Sequence, residues 1–306
     1  MSWSEDVIHR WLARQGWPRG LAGSRGHDAA VLHAHPGRPV VCVDQCIEGV
    51  HFTSRTERGA AGAKAVLRTL SDLAATAATP RAVTLAVRAP EDWTDEWIQA
   101  VILGARAAAH EHGAELVAGD LAAASGAAGL SVTAIGFVDG DGVPVGRDRA
   151  RPGQQVWLTG PVGGSLLRGR HLQIIPRLAE GRALARAGAT AMMDVSDGLA
   201  LDLYRLARSS GVAIELDADA VPVHPDVEGG PGLSTGSSLF HALHDGEDHE
   251  LLACLPPESS AALGQLPGGI IGTVTEGTGL WIRCGGARSE WRPGRGGWIH
   301  GGDPMA

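Results

Sequence analysis

Six aspartates stand where an apolar element ends or runs past, and they are the residues of this chain best suited to chemistry. Two lie in Asp194-Val195-Ser196-Asp197-Gly198-Leu199, which follows the apolar Ala191-Met192-Met193 and opens a helix with apolar positions at Leu199, Leu203 and Leu206. Gly211 is a natural left-handed stop for that helix. Alone, the pair has a plain structural reading: Asp197 caps the helix and Asp194 ends a strand. The pattern recurs, however. Val40-Val41-Cys42-Val43 leads to Asp44, and Ala114 to Gly119 leads to Asp120. Asp28 precedes the apolar run Ala29 to Leu32, and Asp72 lies in Thr69-Leu70-Ser71-Asp72-Leu73-Ala74-Ala75. Carboxylates set against apolar elements repel one another and take up protons unless cations neutralise them. Their oxygens suit hard cations, so the set points to several Mg²⁺ ions around a polyphosphate, with a phosphate near a helix N-terminus.

The elements that must position these residues follow from periodicity and turn residues. In the first half the pattern predicts helices over 4–16, 59–77 and 92–112, and strands over 29–33, 39–44, 81–88, 114–118 and 130–138. Gly140-Asp141-Gly142 reads as a turn. In the second half strands are expected at 156–160, 191–193, 214–216, 250–255, 270–274 and 280–284, with helices at 176–187, 197–210 and 237–244 and a polar loop over 224–236. Strands alternate with helices in both halves, which gives an α/β or α+β fold in two domains, 1–144 and 145–306.

A length of 306 residues is enough for two domains with substantial cores. The hydrophobic content of 44 % and charged content of 20 % are ordinary for a globular protein. A formal charge of −8, with no basic stripe of interleaved aromatics, argues against nucleic acid as a partner. ATP remains admissible, through metal ions. Four cysteines, Cys42, Cys46, Cys254 and Cys284, fit a reduced cytoplasmic setting, and Asp44 between the first two argues against a zinc site. The polar, acidic start Met1-Ser2-Trp3-Ser4-Glu5-Asp6 reads as no signal peptide, and no apolar run reaches membrane-spanning length. Abundant Gly and Ala, with arginine far outnumbering lysine, reflect a GC-rich genome as much as structural demand.

Eight motifs occur in a fixed order. They are Gly26-His27-Asp28-Ala29-Ala30-Val31; Asp44 with Glu48-Gly49-Val50-His51-Phe52; Lys64 with Leu70 to Ala75; and Gly119-Asp120. Then come Gly146-Arg147 with Arg151-Pro152-Gly153; Leu158-Thr159-Gly160; Asp194 to Leu199; and Gly246-Glu247-Asp248-His249-Glu250-Leu251. This order and spacing resemble the thiamine-monophosphate kinases of the aminoimidazole ribonucleotide synthetase superfamily, from about residue 24 to Trp298. The resemblance implies an N-terminal α/β domain that dimerises through its sheet and a C-terminal α/β domain. It implies transfer of the γ-phosphoryl group of ATP to thiamine monophosphate, giving thiamine diphosphate, with several Mg²⁺ ions. By position, the metal ligands it implies are Asp28, Asp44, Asp72, Asp120, Asp194 and Asp197. The implied ATP contacts are Gly119, Asp120, Arg147 and Ser196, and the implied thiamine-phosphate contacts are His51, Glu247 and Trp298. No general base is expected, because a phosphate monoester oxygen is already anionic near neutral pH. Without the motifs, Arg147 reads as a solvated turn charge, His51 as a packed histidine and Glu247 as a cap. Lys64 reads as a helix-face or salt-bridge residue.

The chain departs from the family at several places. His27 stands where the family has Asp, Cys42 and Val43 where it has hydroxyl residues, and Leu121 where it has Thr. Asp245 and His249 stand where it has Gly and Tyr. These changes spare the six aspartates and thin their surroundings, which tune metal affinity. Two other readings therefore stand beside the kinase: a diverged relative acting on another phosphorylated substrate, and a non-catalytic nucleotide-binding relative.

Overall fold

Alternating exposed and covered positions along Arg38–Ile47 (β1) set the pattern for the first half: Val40, Cys42, Asp44 and Cys46 share one face, and Val41, Val43 and Gln45 share the other. The computed structural model describes residues 3–16, 21–22, 29–139, 143–227, 238–259, 263–264, 266–294 and 296–299. They form two compact units. Unit 1 is Met1–Leu73 with Ala78–Val143, and unit 2 is Ala74–Ala77 with Pro144–Ala306.

Unit 1 is a four-stranded sheet in the order β1-β4-β2-β3, with β2 at Thr79–Ala89, β3 at Glu115–Ala123 and β4 at Gly129–Val138. β2 and β3 are parallel, and β4 runs antiparallel to both β1 and β2. Helix α2 (Arg58–Ala75) lies on the Cys42 face, where the thiol of Cys42 meets the Thr69 carbonyl at 3.3 Å. Helix α3 (Asp95–Glu111) starts at Thr94, whose hydroxyl accepts the Trp97 amide, and buries Ile98, Val101, Ile102 and Ala105. Helix α1 (Glu5–Leu12) packs on α3, and Arg106 donates to the Gln15 carbonyl at 3.1 Å. Two glycines have a steric reason to be there. A Cβ on Gly104 would meet the Gly59 carbonyl oxygen at 2.0 Å, and one on Gly62 would meet that of Val101 at 2.0 Å. The α2–α3 crossing is that close.

Unit 2 is a seven-stranded sheet in the order β11-β10-β7-β9-β5-β8-β6. Its strands are β5 (Gln155–Leu158), β6 (Ala191–Asp194), β7 (Ala213–Asp217), β8 (Leu251–Leu255), β9 (Gly269–Thr275), β10 (Gly279–Cys284) and β11 (Ala287–Trp291). Among the described residues of this sheet only the β7–β10 pair is parallel. Helix α5 (Leu199–Ser210) buries Leu199, Leu203 and Leu206 in a core with Val156, Ile214 and Leu252, and ends on left-handed Gly211. Helices α4 (Leu178–Arg186) and α6 (Ser238–His244) complete the unit among the described residues.

The mixed α+β architecture matches the expectation from sequence, with two differences. Residues 29–33 form no strand, and Leu32 makes only an isolated bridge to Leu21. β11 lies in the Gly/Arg-rich tail, where period-2 patterning is weak; its register against β10 supplies it instead. The 140–142 turn and most of the 224–236 loop lie outside the described residues. Among the described residues no helix is long and apolar enough to cross a membrane, and all four cysteines are free.

The close crossing of α2 and α3 makes a stability prediction. Gly104→Ala forces a methyl onto the Gly59 carbonyl, and overpacking of this kind costs about 1–3 kcal/mol. A chemical-denaturation curve of that variant indistinguishable from the parent would contradict the crossing geometry.

Candidate functional site

Beyond β6 the chain makes a three-residue turn, Ser196-Asp197-Gly198, before entering α5. Gly198 has φ +114°, and a Cβ there would lie 2.9 Å from the His244 carbonyl oxygen. The turn is held from inside the helix. Asp202, completely buried, accepts the amides of Ser196 at 3.0 Å and Asp197 at 2.9 Å. Burial pushes the Asp202 carboxyl up to about 7, the Asp197 amide bond opposes this, and the charges of Asp197 and Asp194 add to it. Arg205 opposes it too, donating to Asp202 at 2.9 Å and also to the carboxylate of Asp197.

The segment 245–250 closes on this turn. Glu247 donates its amide to the Ser196 carbonyl at 2.8 Å, and His249 donates to that of Val195 at 2.8 Å. Both residues have positive φ, +66° and +53°, a strained state for side chains with a Cβ that clusters at functional sites. The glycine loop after β5 wraps the same segment from the other side. Ser165 donates to the Glu247 carbonyl at 2.7 Å, Gly163 to Asp248 at 2.7 Å, and Gly164 to Asp245 at 2.8 Å. Asp248 also takes Arg170 at 2.9 Å; burial still raises its carboxyl to about 6. Glu250, buried, accepts Thr159 at 2.5 Å and Arg177 at 2.9 Å and 2.5 Å. A cavity of about 160 Å³ opens here, lined by Arg170, Arg177, His224, Glu247 and Asp248 among others.

Trp298 is half-exposed, and its amide donates to the Asp197 carbonyl at 2.9 Å. The glycines before it allow this approach: a Cβ on Gly297 would meet Leu201 at 2.9 Å, and one on Gly296 the His244 ring at 2.2 Å. Gly146 accepts the Met192 amide at 2.9 Å, which sets the exposed Arg147 beside β6. Unit 2 thus brings Asp194, Ser196, Asp197, Glu247 and Trp298 to one neighbourhood, with Arg147 on its flank.

In unit 1, Asp44 faces α2. The Arg68 guanidinium lies 3.7 Å from its carboxylate, and Asp72 stands one turn along the helix from Arg68. His51 ends the turn after β1, where Phe52 is buried. Its Nδ1 accepts the Ile47 amide at 3.0 Å, and its carbonyl takes the buried Lys64 ammonium at 2.6 Å. Gly119 and Asp120 lie on β3 beside a cavity of about 500 Å³ between α1, α3 and the sheet. The structure does not bring Asp120 to Asp44. The register aligns Asp44, Val132, Leu85 and Gly119 in one row, so Asp120 points to the opposite face. Three strand spacings, roughly 14 Å, separate the two strands. Val43, likewise, is on the face away from Asp44, so of the two lost hydroxyl positions only Cys42 faces α2 with it. Asp28 lies outside the described residues.

Among the described residues no three His, Cys, Asp or Glu side chains gather closely enough to hold a metal ion. Three candidate ligands instead face cations of the protein: Asp44 faces Arg68, Asp194 faces His249 at 3.1 Å, and Asp197 faces Arg205. Burial lowers the affinity of His249 for its proton, but Asp194 and Glu247 outweigh burial and hold its pKa at about 9. Sequence reasoning missed Asp202 and Arg205. The signal was an aspartate on the apolar stripe of α5, three residues after Leu199 and four before Leu206.

Comparison with known proteins matches residues 26–138 to the AIR synthase related protein, N-terminal domain, and residues 157–284 to the C-terminal domain of the same family. The chain is 34 % identical over 291 residues to a thiamine-monophosphate kinase of Rhodopirellula baltica, covering 90 % of each. It is 37 % identical over 271 residues to that of Halobacterium salinarum, covering 84 % of this chain and 89 % of the relative. Among solved structures, AaThiL complexed with AMPPCP and TMP superposes with a TM-score of 0.78 at 28 % identity, covering 96 % of this chain and 95 % of that one.

The raised carboxyl of Asp248 predicts a pH dependence. Folded, it binds its proton more tightly than the unfolded value of 3.8 allows, so its contribution to stability is full below that value and is lost as pH rises through about 6. Asp248→Asn removes the effect. Between about pH 4 and pH 6 the thermal midpoint of the parent is expected to fall relative to that of the variant; parallel curves would contradict this assignment.

Proposed function

We infer the reaction from one premise: the chain belongs to the AIR synthase related proteins and, within them, to the thiamine-monophosphate kinase family. We propose that it transfers the γ-phosphoryl group of ATP directly to the phosphate of thiamine monophosphate, in the cytoplasm, releasing ADP and thiamine diphosphate. One observation carries this reading to the site. Ser196, Glu247 and Trp298, which match the family's nucleotide and substrate positions, come from three distant segments and are tied at one turn through the Ser196 and Asp197 carbonyls.

The roles divide as follows. Gly119, Asp120, Arg147 and Ser196 match the family's ATP contacts and are assigned that role. Glu247 and Trp298, with His51, hold thiamine monophosphate. The backbone of Glu247 is fixed at both ends, by Ser196 and by Ser165, so the segment that carries its carboxylate is already ordered. An oxygen of the thiamine-phosphate group attacks the γ-phosphorus. The bond from that phosphorus to the β,γ-bridging oxygen breaks, and ADP leaves with the electron pair. The attacking oxygen is already anionic, so the chain supplies orientation and charge rather than a base.

Hard carboxylate oxygens at Asp44 and Asp72 fit Mg²⁺; the expected set continues through Asp28, Asp120, Asp194 and Asp197, of which Asp120 does not share the Asp44 face. Bound to them, Mg²⁺ would offset the repulsion between two phosphate groups. We further propose a homodimer formed through the open face of the unit 1 sheet. Val41 and Val43 are each 63 % exposed there and pair in register with Ile135 and Thr133, an apolar surface that a second copy would cover.

Asp44→Asn or Asp72→Asn is expected to lower the turnover number at least about a hundredfold with an unchanged circular-dichroism spectrum, since even supporting residues around a metal cost ten- to hundredfold. Near-parental activity in either variant would remove that residue from the site. Light scattering at micromolar concentration is expected to report a dimer, and Val43→Asp to shift it toward monomer. A monomeric parent would contradict the interface.

A further inference from the structure

We propose that Arg205 is a resident cation that fills the place a divalent ion would take at Asp197; the proposal rests on the thiamine-monophosphate kinase reading above. One guanidinium nitrogen of Arg205 donates to both carboxylates, to Asp202 at 2.9 Å and to Asp197. Asp202 cannot yield. It is completely buried, and its other oxygen accepts the Ser196 and Asp197 amides. Those bonds fix the carboxylate, the carboxylate fixes the guanidinium, and the guanidinium lies against Asp197.

The helix makes the arrangement permanent. Asp202 and Arg205 are three residues apart on α5, so they meet on one face of it, and Asp197 lies in the turn that the same helix caps. A guanidinium keeps its charge at every accessible pH and forms strong charge-assisted bonds to carboxylates. An ion on the Asp197 oxygen that Arg205 holds would have to displace that bond, and an ion on the other oxygen would sit beside a like charge. Removing Arg205 would leave the buried Asp202 without its cation and Asp197 open to an ion from solution. The other charged groups at the turn belong to the Asp194–His249–Glu247 cluster, where the imidazolium has its own carboxylates. This chain therefore uses one divalent ion fewer than its carboxylate motif would hold.

Counting bound Mn²⁺ by electron paramagnetic resonance, with the protein and AMPPCP present, tests this without relying on activity. Arg205→Gln is expected to bind one more Mn²⁺ per protomer than the parent, and Arg205→Lys, which restores the charge, the same number as the parent. Asp197→Asn, which leaves the buried Asp202–Arg205 pair intact, is expected to leave the count unchanged. An unchanged count in Arg205→Gln, or a count lowered by one in Asp197→Asn, overturns the proposal while leaving the kinase reading intact. Absence of bound Mn²⁺ in every protein would overturn both this proposal and the metal roles given to the other aspartates.

Discussion

Repulsion among carboxylates at the ends of strands is the constraint on which the rest of the site depends. In the proposed reaction two anionic phosphates meet, and acidic residues alone would make that meeting harder. The fold answers in part with its own cations. Arg68 faces Asp44, His249 faces Asp194 and Arg205 faces Asp197. Each of these carboxylates thereby has a cation of its own unit beside it.

Backbone strain completes the design. Glu247 and His249 both sit at positive φ, an arrangement that persists only where neighbours over-determine it. Here the neighbours are Val195, Ser196 and Ser165, which hold the segment through three hydrogen bonds. The loop of 163–165 therefore helps to hold the segment that carries Glu247. The glycines before Trp298 serve the same end, letting the chain close on Leu201 and His244.

Much of this was legible in the sequence. The helix-opening pair at Asp194 and Asp197 and the period-2 strands at β1 and β4 lie where the residues indicated. Face and partner were not legible. Asp120 follows an apolar strand just as Asp44 does, but register, together with a bulge between Val83 and Thr84, turns it to the other side of the sheet. Register is fixed by pairing across strands, which local periodicity does not record. Arg205 and Arg68 carry no signal in the sequence, because a one-dimensional pattern shows that a charge exists and not which carboxylate it meets. Residues 29–33 had the composition of a strand and no neighbouring strand to pair with beyond a single bridge.

The central claim is that this arrangement moves a phosphoryl group between two phosphates. Phosphorus nuclear magnetic resonance of the purified chain with ATP, Mg²⁺ and thiamine monophosphate tests it most directly. The phosphomonoester signal of thiamine monophosphate is expected to disappear and the two coupled signals of thiamine diphosphate to appear, with one equivalent of ADP per equivalent formed. ADP accompanied by free inorganic phosphate, with the thiamine monophosphate signal unchanged, would contradict it.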